Sequence, residues 1–390
     1  MADEVRVSPD ALRDDFEDVF ERLAAAGDLV WVVAGKQRFL LVNEPEAVSE
    51  VLVQKAEVLV KPRSQAIDTG PPRPELADAT IDVPALRRAA TVGLAAREAA
   101  VGDVVRAAVR DETATWGDSV ELMPALRRIA IRVAVEGALA SSLDASAGSQ
   151  LLDVLRWMDD APRVLPAPRL GKHALRRGQM QQYLGQIGEA LIANAAPGGE
   201  LDALAAVPEQ ARLPLAGELL LGAVGPLAQT AGWLVARFAD EPEEAARLRA
   251  EWPATERTLG FVREVTRLHP TNPRITRAAV ADTSVGGERV PAHTRVVLNV
   301  NAISRDARFY DEPDRLLPER WLDGRPHKFA YLSFGVGERR CLGEPFALAA
   351  LTALLPALAE GRSFAFEGVR ETSRGRRQLA EGLRVTVSVC

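Results

Sequence analysis

The sequence predicts a mainly α-helical protein with small β-sheets, arranged as one large domain over residues 1–390. Two observations support this fold class. Segments 85–140 and 147–195 are rich in Ala, Leu and Arg, and a further apolar segment spans about 208–239, with compositions typical of helices. Strand-like alternation is confined to shorter segments, and no fixed-period repeat or low-complexity linker divides the chain.

The elements of the first half follow from local patterns. Residues 9–26 have the apolar spacing of an amphipathic helix. The segment LVWVVAGKQRFLLV predicts two strands joined by a hairpin at Ala-Gly-Lys, and EPEAVSEVLVQ predicts a helix with acidic residues in its first turn. Five prolines predict a loop over 61–84.

The second half combines helices with a small β portion. The helix over about 208–239 contains Pro226 directly after Gly225, where proline removes a helical hydrogen bond. A helix over about 253–269 is closed by Pro270. Alternation and a Gly-Gly pair predict short strands over 275–301, and a helix over 345–360 precedes a β-like tail.

The composition is that of an ordinary globular protein. Hydrophobic residues make up 47% of the 390 residues and charged residues 26%, and 48 Lys and Arg against 54 Asp and Glu give a net charge of −6. This balance argues against a nucleic-acid-binding or membrane-surface protein. The N-terminus is charged and holds no apolar signal core or membrane span. Because the chain has only two cysteines, a cytoplasmic location is expected.

Cysteine and histidine are too few for a disulfide or zinc framework. The two cysteines are Cys341 and Cys390, and the four histidines are far apart in sequence, with no H-E-x-x-H motif. We therefore expect neither structural disulfides nor a zinc enzyme.

One loop carries a dense motif directly before a helix. FAYLSFGVGERRCLGEPFALAALTALLPAL satisfies F-x-x-G-x-R-x-C-x-G with Phe334, Gly337, Arg339, Cys341 and Gly343. A lone buried cysteine beside a glycine-rich turn would explain only part of it. A dinucleotide fingerprint is excluded because an arginine stands where the third glycine is needed, and a serine-hydrolase elbow lacks its first glycine.

This motif resembles the heme-binding loop of cytochromes P450. The resemblance implies the P450 fold, a single large triangular α+β domain, with heme b (iron protoporphyrin IX) as cofactor. Cys341 would be the thiolate ligand of the iron, Arg339 would pair with a propionate, and Phe334 would pack on the ligand side. Gly335 and Gly343 would let the backbone approach the macrocycle.

Other segments resemble the family in the same order along the chain. Glu264 and Arg267 form E-x-x-R on one face of a helix, a spacing that is also common among surface ion pairs. The resemblance implies that Arg320, in PERW, closes a Glu–Arg–Arg network behind the loop. It also implies that Arg277 contacts a heme propionate.

Two positions depart from the family pattern. Arg87 matches a propionate-binding arginine, but the His or Trp expected four residues earlier is Val83. The distal A-G-x-(D/E)-T motif falls on residues 222–226, so that the acid becomes Gly225 and the alcohol becomes Pro226. Neither can act as a general acid, and Pro226 leaves the carbonyl of Gly222 without its helical donor.

One alternative keeps an acid–alcohol-like pair. Gln229 and Thr230 follow Gly225 and Pro226 by one helical turn on the same face, and a shifted register or a local bulge would bring Thr230 toward the oxygen.

The resemblance implies a heme-thiolate oxidoreductase that modifies a small organic molecule, tailoring a bacterial secondary metabolite with non-standard oxygen activation. Ferredoxin and ferredoxin reductase would supply electrons, with no nucleic-acid or membrane partner. A peroxygenase, or a non-oxidative enzyme of rearrangement or dehydration, remains open because neither needs a dioxygen relay. A catalytically silent auxiliary protein is a third reading, although such relatives have typically lost the cysteine.

Overall fold

The computed structural model describes residues 2–14, 16–61, 82–160, 172–253, 255–322, 324, 326–367, 371–372, 378–379 and 382–389. The helices in these ranges are α1 (Pro9–Asp14), α2 (Phe16–Ala24), α3 (Pro45–Ser49), α4 (Val83–Glu98), α5 (Val101–Thr113), α6 (Leu122–Arg132), α7 (Ala145–Asp160), α8 (Lys172–Ala193), α9 (Glu209–Asp240), α10 (Pro242–Glu251), α11 (Glu256–Leu268), α12 (Val300–Ile303) and α13 (Glu344–Ala359). Short π-helical segments, Glu50–Gln54 and Val133–Ala138, continue α3 and α6.

The strands are short and group into four small sheets. They are β1 (Asp3–Val7), β2 (Leu29–Ala34), β3 (Gln37–Val42), β4 (Leu59–Val60), β5 (Ser119–Glu121), β6 (Arg274–Ala279), β7 (Thr283–Val285), β8 (Glu288–Val290), β9 (Arg295–Asn299), β10 (Arg362–Glu367), β11 (Glu371–Thr372), β12 (Gln378–Leu379) and β13 (Arg384–Val389). The described chain is thus mainly α-helical with small β-sheets, which confirms the predicted fold class.

The chain divides into two compact units. The first comprises residues 1–65, 254–341 and 369–380, and the second comprises 66–253, 342–368 and 381–390. The sequence predicts one domain, and each unit is built from several separate segments of the chain.

The first unit is organised on a six-stranded sheet in the order β1-β2-β3-β9-β6-β4. The predicted hairpin is present, since β2 pairs antiparallel with β3 around Gly35, whose φ is +59°. Because side chains alternate across a strand, each face of the sheet buries its own apolar cluster. One face packs on Phe20 and Leu23 of α2, and the other packs on Val51 and Leu52 of the first π-segment.

The second unit is built around α9. This helix packs against α6, α8 and α13, and half of its residues are buried. Its length and its mean hydropathy of 1.5 would suffice to cross a membrane, but 67% of the apolar window is buried inside the fold. That burial is typical of a core helix.

The predicted elements correspond to the described ones with several differences. Strand β5 interrupts the predicted helical segment 85–140, and helix α12 begins at Val300, within the predicted strands over 275–301. The helix expected over 9–26 is two short helices, α1 and α2. The helix after Pro45 ends in a π-segment. Most of the predicted loop over 61–84 lies outside the described residues, but α4 begins at Val83, inside its predicted end. A 3₁₀ segment at Glu200–Ala206 and strand β1 were not predicted.

Candidate active site

The loop that carries Cys341 is closed on itself by backbone hydrogen bonds. The N–H of Cys341 donates to the carbonyl of Phe334 over 2.7 Å, and the N–H of Gly335 donates to the carbonyl of Leu332 over 2.9 Å. Residues Gly337–Arg339 form one 3₁₀ turn between them. Cys341 emerges from this loop as an exposed side chain of the first unit.

Two glycines of the loop adopt backbone conformations that L side chains rarely adopt. Gly335 and Gly337 have φ values of +68° and +74°. Gly337 is also pressed against the first π-segment, because a Cβ placed on it would lie 2.6 Å from the carbonyl oxygen of Leu52. Gly343 differs, since its φ of −79° is ordinary and it serves as the N-cap of α13.

A second feature of the first unit is a pair of guanidinium groups. Burial, together with the nearby positive charge of Arg339, lowers the pKa of Arg277, on β6, to about 10. The guanidinium of Arg277 donates to the carbonyl of Thr276 over 2.9 Å. No carboxylate among the described residues compensates its charge. A partly buried arginine beside a second arginine is a setting that favours a bound anion.

The predicted Glu–Arg–Arg set comes together in the interior of the first unit. Glu264 and Arg267 of α11 are 0% exposed and form a bidentate ion pair, with N–O distances of 2.8 and 2.7 Å. Arg320 joins them, its Nε donating to Glu264 Oε1 over 3.0 Å. Such a buried pair persists only when its remaining hydrogen-bonding groups are satisfied.

Further residues complete this network, and the sequence analysis did not predict them. The indole N–H of Trp321 donates to Glu264 Oε2 over 3.0 Å. Arg267 Nη1 donates to the carbonyls of Ser304 and Pro313 over 2.8 and 2.6 Å. Trp321 directly follows Arg320, and this adjacency was the only sequence signal for its part in the network. The carbonyl acceptors of Ser304 and Pro313 belong to the main chain, so no residue type indicates them.

Hydrogen bonds and aromatic contacts connect the network to the cysteine loop. Ser333 Oγ donates to the carbonyl of Thr266 over 2.8 Å, and Thr266 Oγ1 lies 2.8 Å from the hydroxyl of Tyr331. The ring of Tyr331 lies edge-on to Trp321, with centroids 4.7 Å apart, and 6.3 Å from the ring of Phe334. The start of the loop is therefore held against α11.

The other predicted site residues lie in the second unit. Arg87 is half-buried on α4, and its carbonyl accepts a hydrogen bond from Thr91 Oγ1 over 2.8 Å. The side chain of Val83 is outside the described residues, as is Cys390.

The segment around Pro226 stays α-helical. Helix α9 runs through Pro214 and Pro226 without a π-turn. Gly225 is half-buried and Pro226 is exposed. Because these residues are glycine and proline, neither position carries a carboxyl or a hydroxyl group. Thr230 is 5% exposed. The local bulge that would bring Thr230 forward is not formed, and the shifted register of Gln229 and Thr230 stays a prediction.

Comparison with known proteins finds similarity to cytochromes P450. The cytochrome P450 family model matches residues 214–372. A putative cytochrome P450 137 of Mycobacterium tuberculosis is 34% identical over 148 residues, which are 37% of this chain and 31% of that protein. The match thus spans about a third of this first relative.

Two further likenesses extend over most of the chain. A cyclooctat-9-en-7-ol 5-monooxygenase of Streptomyces melanosporofaciens is 28% identical over 388 residues, covering 87% of this chain and 83% of that protein. A retinoic acid-bound cyanobacterial cytochrome P450 superposes with a TM-score of 0.76 at 18% identity, covering 95% of this chain and 94% of the other. With the closed cysteine loop and the buried Glu–Arg–Arg set, these findings show that residues 214–372 match the cytochrome P450 family and that the chain has the fold of these proteins.

Proposed function

We propose that this protein is an oxidoreductase that binds heme b through the thiolate of Cys341 and modifies a small organic molecule. The observation that carries this proposal is the closed loop, which presents Cys341 as an exposed side chain of the same unit that holds Arg277 and Arg339. A thiolate ligand and an anion-binding pair are what an iron porphyrin with two propionates requires.

The site residues of the first unit have different roles in this proposal. Cys341 would hold the iron, and Arg277 and Arg339 would bind the propionates. The bound heme would supply the activation of dioxygen or peroxide. Arg267, paired with Glu264, would keep α11 in position, because it also donates to the carbonyls of Ser304 and Pro313. The loop would then be held through the hydrogen bond of Ser333 to the carbonyl of Thr266.

The second unit supports a non-standard reaction. A general acid must hold a proton within hydrogen-bonding reach of the oxygen it serves. Gly225 has no side chain and Pro226 has neither a hydroxyl nor an N–H, so α9 cannot supply that proton from these positions. The proton would come from the substrate or from water bound at the carbonyl of Gly222.

The same observation favours a second candidate function. A peroxygenase, or an enzyme of rearrangement or dehydration, needs no relay of protons to dioxygen. The replacement of both relay residues is therefore also compatible with chemistry that starts from peroxide or from no oxidant.

The relatives support a substrate class. The monooxygenase that matches most of the chain is named for an unsaturated alcohol as its substrate. We extend this to a tailoring role in bacterial secondary metabolism, with electrons from a ferredoxin and its reductase in the cytoplasm.

A turnover comparison tests the proposal. The holoenzyme would be assayed with dioxygen, ferredoxin and ferredoxin reductase, and separately with hydrogen peroxide alone, using the ligand from a cyclic-alcohol screen that most changes the heme spin state. Oxygenated product with the electron-transfer partners supports the monooxygenase, and product with peroxide alone supports the peroxygenase. Absence of oxygenated product under both conditions contradicts both oxidative functions.

A further inference from the structure

Gln229 on α9 has an unsatisfied buried acceptor. Its side chain is half-buried, yet Oε1 is fully enclosed and has no hydrogen-bond partner among the described residues. Leaving a buried carbonyl-type oxygen unpaired costs about 1–3 kcal/mol. Buried polar atoms in proteins usually have a hydrogen-bond partner. A bound ligand with a hydroxyl or N–H group would supply the donor that Gln229 Oε1 lacks.

Gln229 is the last residue of a row of accessible positions on α9, and the helix is buried directly after it. Gly222 and Pro226 are exposed and Gly225 is half-buried, whereas residues 230–236 are all buried. Positions three or four apart share one helix face, so Gly222, Pro226 and Gln229 lie along a single side of α9. Gln229 is therefore the position at which the accessible part of α9 gives way to its buried part.

Open volume lies along this row. A Cβ placed on Gly222 or on Gly225 would meet no described atom within 4 Å. The glycines of the packed parts of this unit behave differently, because a Cβ on Gly188 would lie 3.1 Å from the carbonyl oxygen of Leu213. The missing side chains at Gly222 and Gly225 therefore leave room for another molecule.

The chemistry of the row selects the kind of molecule. Residues 222–229 contain no ionisable side chain. The nearest ionisable side chain on this face of α9 is the exposed carboxylate of Glu218, one turn before Gly222. An anionic ligand would therefore find no counter-charge along the row, whereas an apolar body would be accommodated without a desolvation penalty. Gln229 has three side-chain torsions, so that a rotation can carry its amide from the enclosed position to the open side.

We propose that Gln229 determines substrate specificity by accepting a hydrogen bond, through Oε1, from a hydroxyl or N–H group of a neutral, mainly apolar substrate lying along Gly222, Gly225 and Pro226. This inference rests on the proposed function, because the ligand is the substrate of that reaction. It assigns the substrate class as apolar molecules with a donor near one end, as distinct from hydrocarbons and ketones.

The test compares three ligands that differ only in the polar group. Cyclododecanol, cyclododecanone and cyclododecane would be titrated into the holoenzyme, with dissociation constants taken from the heme spin-state shift and checked by ligand-induced changes in Tm. One additional hydrogen bond corresponds to a preference of about tenfold for the alcohol over the ketone.

Three variants separate the hydrogen bond from general effects. In Gln229→Met, which keeps the length of the side chain but removes the acceptor, the alcohol-to-ketone preference is expected to fall to about one. Gln229→Glu retains an acceptor and keeps the preference. Gln210→Met, at an exposed position in the first turn of the same helix, serves as the matched control and also keeps it.

The outcomes distinguish this inference from the proposed function. A reduced, carbon monoxide-bound spectrum without a thiolate signature would refute the proposed function itself. With that signature present, an unchanged preference in Gln229→Met, equal affinities of the wild type for alcohol and ketone, or absence of binding by all three ligands would overturn the role of Gln229.

Discussion

At the scale of single residues, Arg277 carries a positive charge that its surroundings oppose. Burial and the charge of Arg339 lower its pKa to about 10, so the protonated guanidinium is less stable in the folded protein than in the unfolded chain. At neutral pH the group is nevertheless charged in both states, so the cost is present throughout the physiological range. A bound anion would remove that cost, so the effect of replacing Arg277 on stability tests the proposed propionate site.

Arg277→Met is expected to have opposite effects on the two forms of the protein. Without heme, the variant should be more stable, by an amount on the order of 2 kcal/mol, because an uncompensated charge is removed. With heme, it should release the cofactor faster. Thermal unfolding of apoprotein and holoprotein, together with heme transfer to an acceptor protein, measures both effects.

The control for this prediction is Arg289→Met. Arg289 is 79% exposed and pairs with Asp282 at the surface, so its replacement should change neither quantity appreciably. Loss of apoprotein stability in Arg277→Met would contradict the interpretation of Arg277 as an uncompensated charge.

The two glycines of the cysteine loop give a second test at this scale. Gly335→Ala introduces strain from its positive φ and should cost about 1 kcal/mol of unfolding free energy. Gly337→Ala has a similar φ and also directs its Cβ to 2.6 Å from the Leu52 oxygen. It should cost more, about 2–3 kcal/mol, and should disturb the thiolate spectrum. Equal costs for the two variants would show that the contact with Leu52 is unimportant.

At the scale of elements, α9 contains two prolines with different surroundings. Pro214 lies toward its N-terminal end, and Pro226 lies beside Gly225 in the accessible row. Each deprives a carbonyl four residues earlier of its helical donor. Only Pro226 lies at the proposed position of the acid–alcohol pair. Substitution of Pro214 therefore tests the stability of the helix, and substitution of Pro226 tests its proposed chemistry.

Installing an acid–alcohol pair should therefore change the reaction. Gly225→Asp combined with Pro226→Thr is expected to raise uncoupled dioxygen consumption or to create a new hydroxylated product, because it adds the groups that deliver protons. Oxygen uptake measured against product formation tests this. Pro214→Ala, which alters the same helix away from the row, should leave the product pattern unchanged. Simple loss of native activity in the double variant would show instead that the proline shapes the pocket.

Several elements could be predicted because their signals are local. The bounds of α9 differ by one residue from the expected 208–239, since a long apolar segment between a proline and an acidic stretch defines both ends. The cysteine loop was identified from consecutive residues. Trp321 as a donor to Glu264, and the mutual repulsion of Arg277 and Arg339, could not be predicted, because they depend on segments brought together only by tertiary folding.

At the scale of the whole molecule, one buried carboxyl couples folding to pH. Glu200 begins the 3₁₀ segment that packs between α4 and the end of the second π-segment. The packing is so close that a Cβ on Gly93 would lie 2.5 Å from the oxygen of Gly199, and one on Gly199 would lie 2.5 Å from that of Leu139. Burial therefore raises the pKa of Glu200 from 4.5 to about 7.

This shift predicts the direction of the pH dependence. Because the folded protein favours the protonated carboxyl, the contribution of Glu200 to stability is complete below pH 4.5 and is lost as the pH rises to about 7. Glu200→Gln should therefore raise the unfolding free energy by up to about 3 kcal/mol near pH 8 and leave it nearly unchanged near pH 4. Chemical denaturation at both pH values measures this.

The exposed Glu189, on α8, offers a matched control. Glu189→Gln should change stability little at either pH, since its charge is solvated in both states. A Glu200→Gln variant that is no more stable than wild type at high pH would contradict the assignment of Glu200 as a buried neutral acid.

The central claim is that Cys341 holds a heme iron through its thiolate, and the difference spectrum of the reduced, carbon monoxide-bound protein tests it most directly. We expect the red-shifted band of a thiolate-ligated heme in the wild type and in Cys390→Ser, and its loss in Cys341→Ser. A heme-loaded wild type without that band, or a Cys341→Ser variant that keeps it, would contradict the claim.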